Sequence, residues 1–293
     1  MHREDAHSII NYYKEICASD SSMGSHEEWH ATGGPKEKLL EACRFAEDPQ
    51  LIQAGQEILR RFDQKVSPKD VLVDLIALSQ RSCAQPIQGC LAYATKDNFV
   101  GRVIAGYHPE ASDVCLVTAT VAKQLCALQN ELVQQDLSLF IFDAYRPLRA
   151  VRDWSGWYRQ PNVNAYEHER KKLHYPHLEK EDLIRLGYAP DTVSRHCFGH
   201  VVDVTLVNLL DGKMLNMGTE FDYFDSSSHL DAGIEKIGEE AVRNREFLVQ
   251  IMQKYGFVSY EYEWWHFDYH EIEVKEPMDL EITPDLKSLG VKL

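Results

Sequence analysis

The sequence predicts an α+β architecture: a small, mainly antiparallel sheet with packed helices, preceded by an N-terminal helical extension. Three observations lead there. Up to Cys83 the apolar residues recur at near-helical spacing, with no run of alternating character. Beyond Pro86, short runs rich in β-branched and aromatic residues alternate with helical stripes. No internal repeat or low-complexity tract points to a solenoid or a linker. The boundary is therefore expected near residue 85, giving an extension at 1–85 and a second module at 86–293.

In chain order, a short helix is expected around Ile9 to Ile16. Leu39, Leu40, Cys43 and Phe45, then Leu51, Ile52, Ile58, Leu59 and Phe62, fit the buried faces of further helices. Ser67 as N-cap, Pro68 in the first helical position and Asp70 at N3 signal another start, leading into Val71, Leu72, Leu75, Ile76 and Leu78. In the second module Val121, Leu125, Leu128 and Leu132 form a helical stripe. It is followed by a strand in "LSLFIFDAYRP" that ends at Asp143. "GHVVDVTLVNLL" reads as another strand. Ile234, Ile237, Ala241, Phe247, Leu248, Ile251 and Tyr255 mark one long helix closed by Gly256 at C′. "FVSYEYEWWHFDY" reads as the last strand.

Composition narrows the function classes. With 293 residues and 44% hydrophobic content the chain can bury a substantial core. The formal charge of −15 disfavours a nucleic-acid backbone or an anionic membrane as partner, so a small molecule or peptide is expected. Seven irregularly spaced cysteines without a C-x-x-C pair indicate neither a disulfide framework nor a zinc ribbon and fit a reducing compartment. The first residues lack a basic segment followed by an apolar one, and no run approaches 18 apolar residues, so the expected location is cytoplasmic. Oligomeric state has no signature here.

Two places carry the residue types of a metallohydrolase. "SHEEWHATGG" contains His26, Glu27 and His30 in the H-E-x-x-H order, which binds zinc only on a helix. Ser21, Ser22, Gly24 and Ser25 before it and Gly33, Gly34 and Pro35 after it leave no room for one, so an exposed loop is expected. The second place is formed by polar residues interrupting apolar strands, where an unpaired charge is costly to bury. They are His196 and Asp203 in "SRHCFGHVVDVTL", and Glu263 and His266 in "EYEWWHFDY". Two histidines and a carboxylate are the ligand set of a catalytic zinc ion that keeps its fourth position for water, with Glu263 the base beside that water. Residues i and i+3 of a flat strand face opposite sides, so Glu263 and His266 share a site only if the strand bulges or ends between them. Arg146, held between a strand end and Pro147, suits a role in stabilising a tetrahedral oxyanion.

Taken together, S-x-H-x-x-G-x-x-x-D at Ser194 to Asp203, E-W-W-H at Glu263 to His266 and D-A-Y-R-P at Asp143 to Pro147 resemble the D-alanyl-D-alanine dipeptidases of the vancomycin-resistance type. The resemblance extends through "YATKDNFVG", "MGTEFDYFD" and "RNREFL" in the same order, over roughly residues 86–275. It implies a hedgehog/DD-peptidase-like fold and a single Zn2+ on His196, Asp203 and His266. It further implies Glu263 as catalytic base and Arg146 as the residue that stabilises the transition state. Tyr93 and Asp222 match positions that recognise the dipeptide's ammonium group, and Ser194 one that contacts its carboxylate end. A site with opposite partners for both ends of a zwitterion suits a free dipeptide and rejects longer chains. The chain departs from the family at Val201, usually Ala, and at Lys96, usually aromatic; His200 is an additional imidazole, and the extension has no counterpart. Two other readings stay open on the residues alone: a peptidoglycan D,D-carboxypeptidase or endopeptidase of the same superfamily, and a zinc-containing binding domain without turnover.

Overall fold

The structure is a computed structural model, and it describes residues 3–18, 35–46, 48–63, 72–161, 164–269 and 276–291. The chain clusters into two compact units, Met1–Val71 and Leu72–Leu293. The first contains helices α1 (Arg3–Ala18), α2 (Pro35–Phe45) and α3 (Pro49–Asp63), each packed on the other two. Their core is Ala6, Ile10, Tyr13, Leu39, Ala42, Ala46 and Ile58, with Cys43, Leu51 and Ile52 packed at its edge. Leu40, expected on the buried face, is exposed. Among the described side chains, helical periodicity thus locates the elements and misplaces one by a step around the axis; Phe45, Leu59 and Phe62 lie outside them.

Helical character does not continue to Cys83 as expected. Leu72–Asp74 is a strand, β1, and the next helix, α4, starts only at Leu75 and runs to Ser82. Asp74 supplies the cap, accepting from the backbone N–H of Ile76 (3.2 Å) and Ala77 (3.4 Å) and from Ser288 N (2.9 Å). The start signal at Ser67, Pro68 and Asp70 lies outside the described residues, as does the H-E-x-x-H stretch at 26–30.

The second unit is mixed α+β. Two-residue β2 (Gln88–Gly89), β4 (Leu137–Asp143), β5 (Val201–Asn208), β6 (Phe257–Tyr260) and β7 (Glu263–Tyr269) form a sheet ordered β2-β4-β5-β7-β6. All its pairings are antiparallel except β2 with β4. β1 pairs separately with β3 (Leu116–Thr118). Helix α5 (Ala119–Val133) carries the predicted stripe, buries Val121, Leu125, Leu128 and Leu132, and packs on β4. Next in the chain come α6 (Leu148–Tyr158), α7 (Ala165–His174) and α8 (Lys180–Arg185). The single long helix expected from Ile234 is broken into α9 (Ile234–Ile237) and α10 (Glu239–Lys254), because Gly238 takes φ 82° and ψ 158°, outside helical space. Gly256, with φ 89°, follows the Tyr255 cap as expected. The segment read as one last strand is a hairpin, with β6 and β7 joined across Glu261 and Tyr262. No helix among the described residues is long and apolar enough to cross a membrane.

Two irregularities in the ladders decide where charge ends up. From Leu137 to Ile141, β4 pairs with β5 in constant register; then Asp143, not Phe142, stands opposite Asp203. Without that bulge Asp143 would lie opposite Val202. On the other edge Ser259 pairs with Phe267 but Tyr260 pairs with Glu263, one step along β6 against four along β7. β5 and β7 remain in register, with Asp203 directly across from His266. Asp143, Asp203 and His266 therefore stand in one row across three strands.

Candidate active site

The row of charges opens into a cavity of about 350 Å³. All eight side chains singled out from the sequence line it: Tyr93, Arg146, Ser194, His196, Asp203, Asp222, Glu263 and His266.

His196 lies on a 3-10 turn, Arg195–Phe198, capped by Ser194, whose hydroxyl accepts from His196 N at 3.3 Å. The turn ends at Gly199, which takes φ 74°; a side chain there would also bring its Cβ to 2.7 Å from Leu72 Cδ2. His196 Nδ1 lies 2.7 Å from the Ala144 carbonyl. A carbonyl only accepts, so the ring proton sits on Nδ1 and the lone pair of Nε2 points into the cluster. There Nε2 lies 3.4 Å from Asp203 Oδ2 and 3.3 Å from His266 Nδ1, which in turn is 3.1 Å from Asp203 Oδ1. One donor atom from each of the three residues lies within 4.8 Å of the other two. Two imidazoles and a carboxylate converging on one point fit a divalent metal ion.

The irregularity expected in the last strand is present. Trp264, Trp265 and His266 are the residues of β7 that β6 leaves without partners, and this brings the Glu263 carboxylate to 3.7 Å from His266 Nδ1. Burial, then the charges of Asp203 and Asp222, push the Glu263 carboxyl well above its ordinary value.

Arg146 is buried and bound on every side. Its Nε and Nη2 reach Asp143 Oδ2 at 3.0 and 2.9 Å, Nη2 lies 3.6 Å from Asp203, and Nη1 donates to Ser194 Oγ at 3.3 Å. The guanidinium also sits 4.4 Å from the Trp154 ring centroid and 5.1 Å from that of Tyr93. Asp143 keeps this arginine charged, and Tyr107 Oη, donating at 2.9 Å, orients Asp143. Sequence reading missed the parts played by Asp143, Tyr107 and Trp154. A carboxylate closing a buried apolar strand three residues before Arg146 was the available signal for Asp143. Trp154 gives no signal beyond helical periodicity.

Elsewhere in the cavity lining, Tyr93 Oη donates to the Asp222 carboxylate at 3.0 and 3.2 Å. Burial, then the neighbouring Asp203 charge, raise the Asp222 carboxyl well above its ordinary value. The loop bearing it is tied down from the remaining matched motifs: Arg245 of "RNREFL" donates to Met217 O at 2.7 Å, and Trp264 Nε1 to Thr219 Oγ1 at 2.8 Å. His200 stands apart from the His196, Asp203 and His266 cluster, with Nε2 3.4 Å from Asp268. Neither Val201, which is buried, nor Lys96, which is exposed, lines the cavity.

Comparison with known proteins agrees with the motifs. The family model described as D-ala-D-ala dipeptidase matches residues 77–280. A D-alanyl-D-alanine dipeptidase of Enterococcus faecalis is 37% identical over 175 residues, covering 60% of this chain and 82% of that protein. One of Enterococcus faecium is 35% identical with the same coverage, and one of Streptomyces coelicolor is 35% identical over 179 residues, covering 61% and 84%.

Proposed function

This chain belongs to the D-ala-D-ala dipeptidase family of metallopeptidases, and from that premise we propose that it is a zinc dipeptidase hydrolysing D-alanyl-D-alanine or a closely related dipeptide. The observation that carries the reading is the meeting of the His/Asp/His cluster, a buried glutamate and a buried arginine in one cavity of dipeptide size. His196, Asp203 and His266 would hold one zinc ion. Bound there, zinc supplies Lewis acidity to the peptide carbonyl and to water. Glu263 takes the proton from the attacking water and returns it to the leaving amine. Arg146, its charge secured by Asp143, faces the carbonyl oxygen as negative charge develops on it. Asp222 with Tyr93 receives the substrate's ammonium group and Ser194 its carboxylate end. We place this chemistry in the unit beginning at Leu72, and infer for it the hedgehog/DD-peptidase-like arrangement.

Glu263→Gln tests the mechanism. Turnover should fall by about three orders of magnitude, in the range of a lost general base, while one zinc ion per chain is retained. Near-normal activity in that variant would overturn the assignment. Preference for an N-acylated substrate over free D-alanyl-D-alanine would favour a peptidoglycan carboxypeptidase instead, and zinc without hydrolysis a binding domain.

A further inference from the structure

Asp222 has φ 58°, one of three non-glycine residues with positive φ among the described residues. Such a conformation is strained for a residue with a side chain and persists only where the surroundings over-determine it. What over-determines it here is one residue of α7. His174 Nδ1 lies 3.0 Å from the Asp222 carbonyl, and the His174 carbonyl accepts from Phe224 N at 2.6 Å, so a single histidine grips the loop at two points.

The histidine is itself held. Arg170, one turn earlier on α7 and buried, approaches His174 Nε2 with Nη2 at 2.6 Å. A guanidinium has no lone pair to offer, so Nε2 must accept, the ring proton lies on Nδ1, and Nδ1–H donates to Asp222. The same guanidinium donates through Nε to the Asn98 carbonyl at 2.7 Å. Buried Asn98 organises the turn that follows Tyr93: its amide donates to the carbonyls of Ala92, Thr95 and Arg102, and its oxygen accepts from Val100 N and Gly101 N. The circuit closes at the cavity, where Tyr93 donates to Asp222. Arg170's counter-charge, Asp97, is largely exposed and lies 3.3 Å away, a weak return for burying a guanidinium. The short bonds are those to the imidazole and the Asn98 carbonyl, which fix geometry and do not neutralise charge.

We propose that Arg170 and His174 are positioning residues that clamp the Tyr93 turn and the Asp222 loop at the spacing needed to grip a dipeptide's free ammonium group, and so set the preference for unblocked dipeptides. This rests on reading Asp222 and Tyr93 as the ammonium site.

The test uses the full-length, zinc-loaded protein with D-alanyl-D-alanine and its N-acetyl derivative, in His174→Phe, His174→Asn, Arg170→Gln and Asp222→Asn variants. His174→Phe and Arg170→Gln should raise KM for the free dipeptide about tenfold, the effect of roughly one lost hydrogen bond, with kcat within about threefold of the parent. They should narrow the preference for free over acetylated substrate by a similar factor. His174→Asn keeps a donor near the Nδ1 position and should recover most of the KM. Parent-like KM and preference in both His174→Phe and Arg170→Gln, with Asp222→Asn impaired, would overturn the clamp. So would an equal loss of kcat on both substrates with KM unchanged. An Asp222→Asn protein with parent KM and preference would instead remove the ammonium reading itself. Should His174→Phe fail to fold, Arg170→Gln and His174→Asn decide by the same criteria.

Discussion

The two sides of the cavity are built differently. The side bearing His266, Asp203 and Asp143 stands on three adjacent strands, where ladder register fixes each side chain against the next. The side bearing Tyr93 and Asp222 stands on a short 3-10 turn, Ala92–Ala94, and a loop, and no ladder relates one to the other. Their geometry comes from a chain of side-chain hydrogen bonds through Arg170, His174 and Asn98. Bond-making demands placement to a fraction of an ångström, which a sheet supplies without further help. Recognising a charged end tolerates more latitude, and loops that can be re-tied allow it to vary.

Substitutions at the strand-borne side should be the most severe. His266→Ala should abolish detectable turnover and leave less than one zinc ion per chain by metal analysis, because two ligands hold the ion poorly. Measurable activity with full zinc content would show that the cluster of His196, Asp203 and His266 is not the metal centre. Arg146→Ala should lower kcat by roughly 10²–10³, comparable to removing one oxyanion donor, and Arg146→Lys should recover little, since one ammonium cannot replace contacts to Asp143, Ser194 and two aromatic faces.

The loop-borne side should respond first to acid. Burial, and then the adjacent Arg170, lower the pKa of His174 from its ordinary value to about 4. The folded protein therefore keeps this ring neutral while the unfolded chain protonates it below about 6.5, so the stabilisation is complete above that pH and is lost as the pH falls toward 4. Denaturant titrations at pH 7 and pH 5 should show the parent losing about 2 kcal/mol more than a His174→Asn protein, which has no proton to take up. Equal losses would place the acid sensitivity elsewhere. Trp154→Leu, where the guanidinium of Arg146 meets the aromatic wall, should reduce kcat/KM only about fivefold, the scale of a cation–π contact of about 1 kcal/mol.

The same contrast governs what could be read from the sequence. His196, Asp203, Glu263 and His266 announce themselves because ionisable residues in runs such as "HCFGHVVDVTLV" and "EWWHF" need a partner or a purpose. Tyr93, Ser194 and Asp222 carry no such local signal and stood out only through resemblance. Arg170 and His174 were missed altogether: "HERKKLH" reads as a charged, solvated helix, and nothing in it says that one arginine and one histidine turn inward. The hairpin between Phe257 and Tyr269 and the break at Gly238 escaped for another reason. A strand and a helix each continue across them in pattern while the backbone turns, at Glu261–Tyr262 in one case and at a left-handed glycine in the other.

The uneven count across the final hairpin has an evolutionary consequence. Adding or deleting a single amino acid between Glu263 and Phe267 would swing the glutamate out of reach of the imidazole, however conservative the substitution of any one letter might look. Drift in that short span is therefore constrained by its length as well as by its alphabet, and indels should be tolerated far better in the turn at Glu261 and Tyr262 than two residues further on.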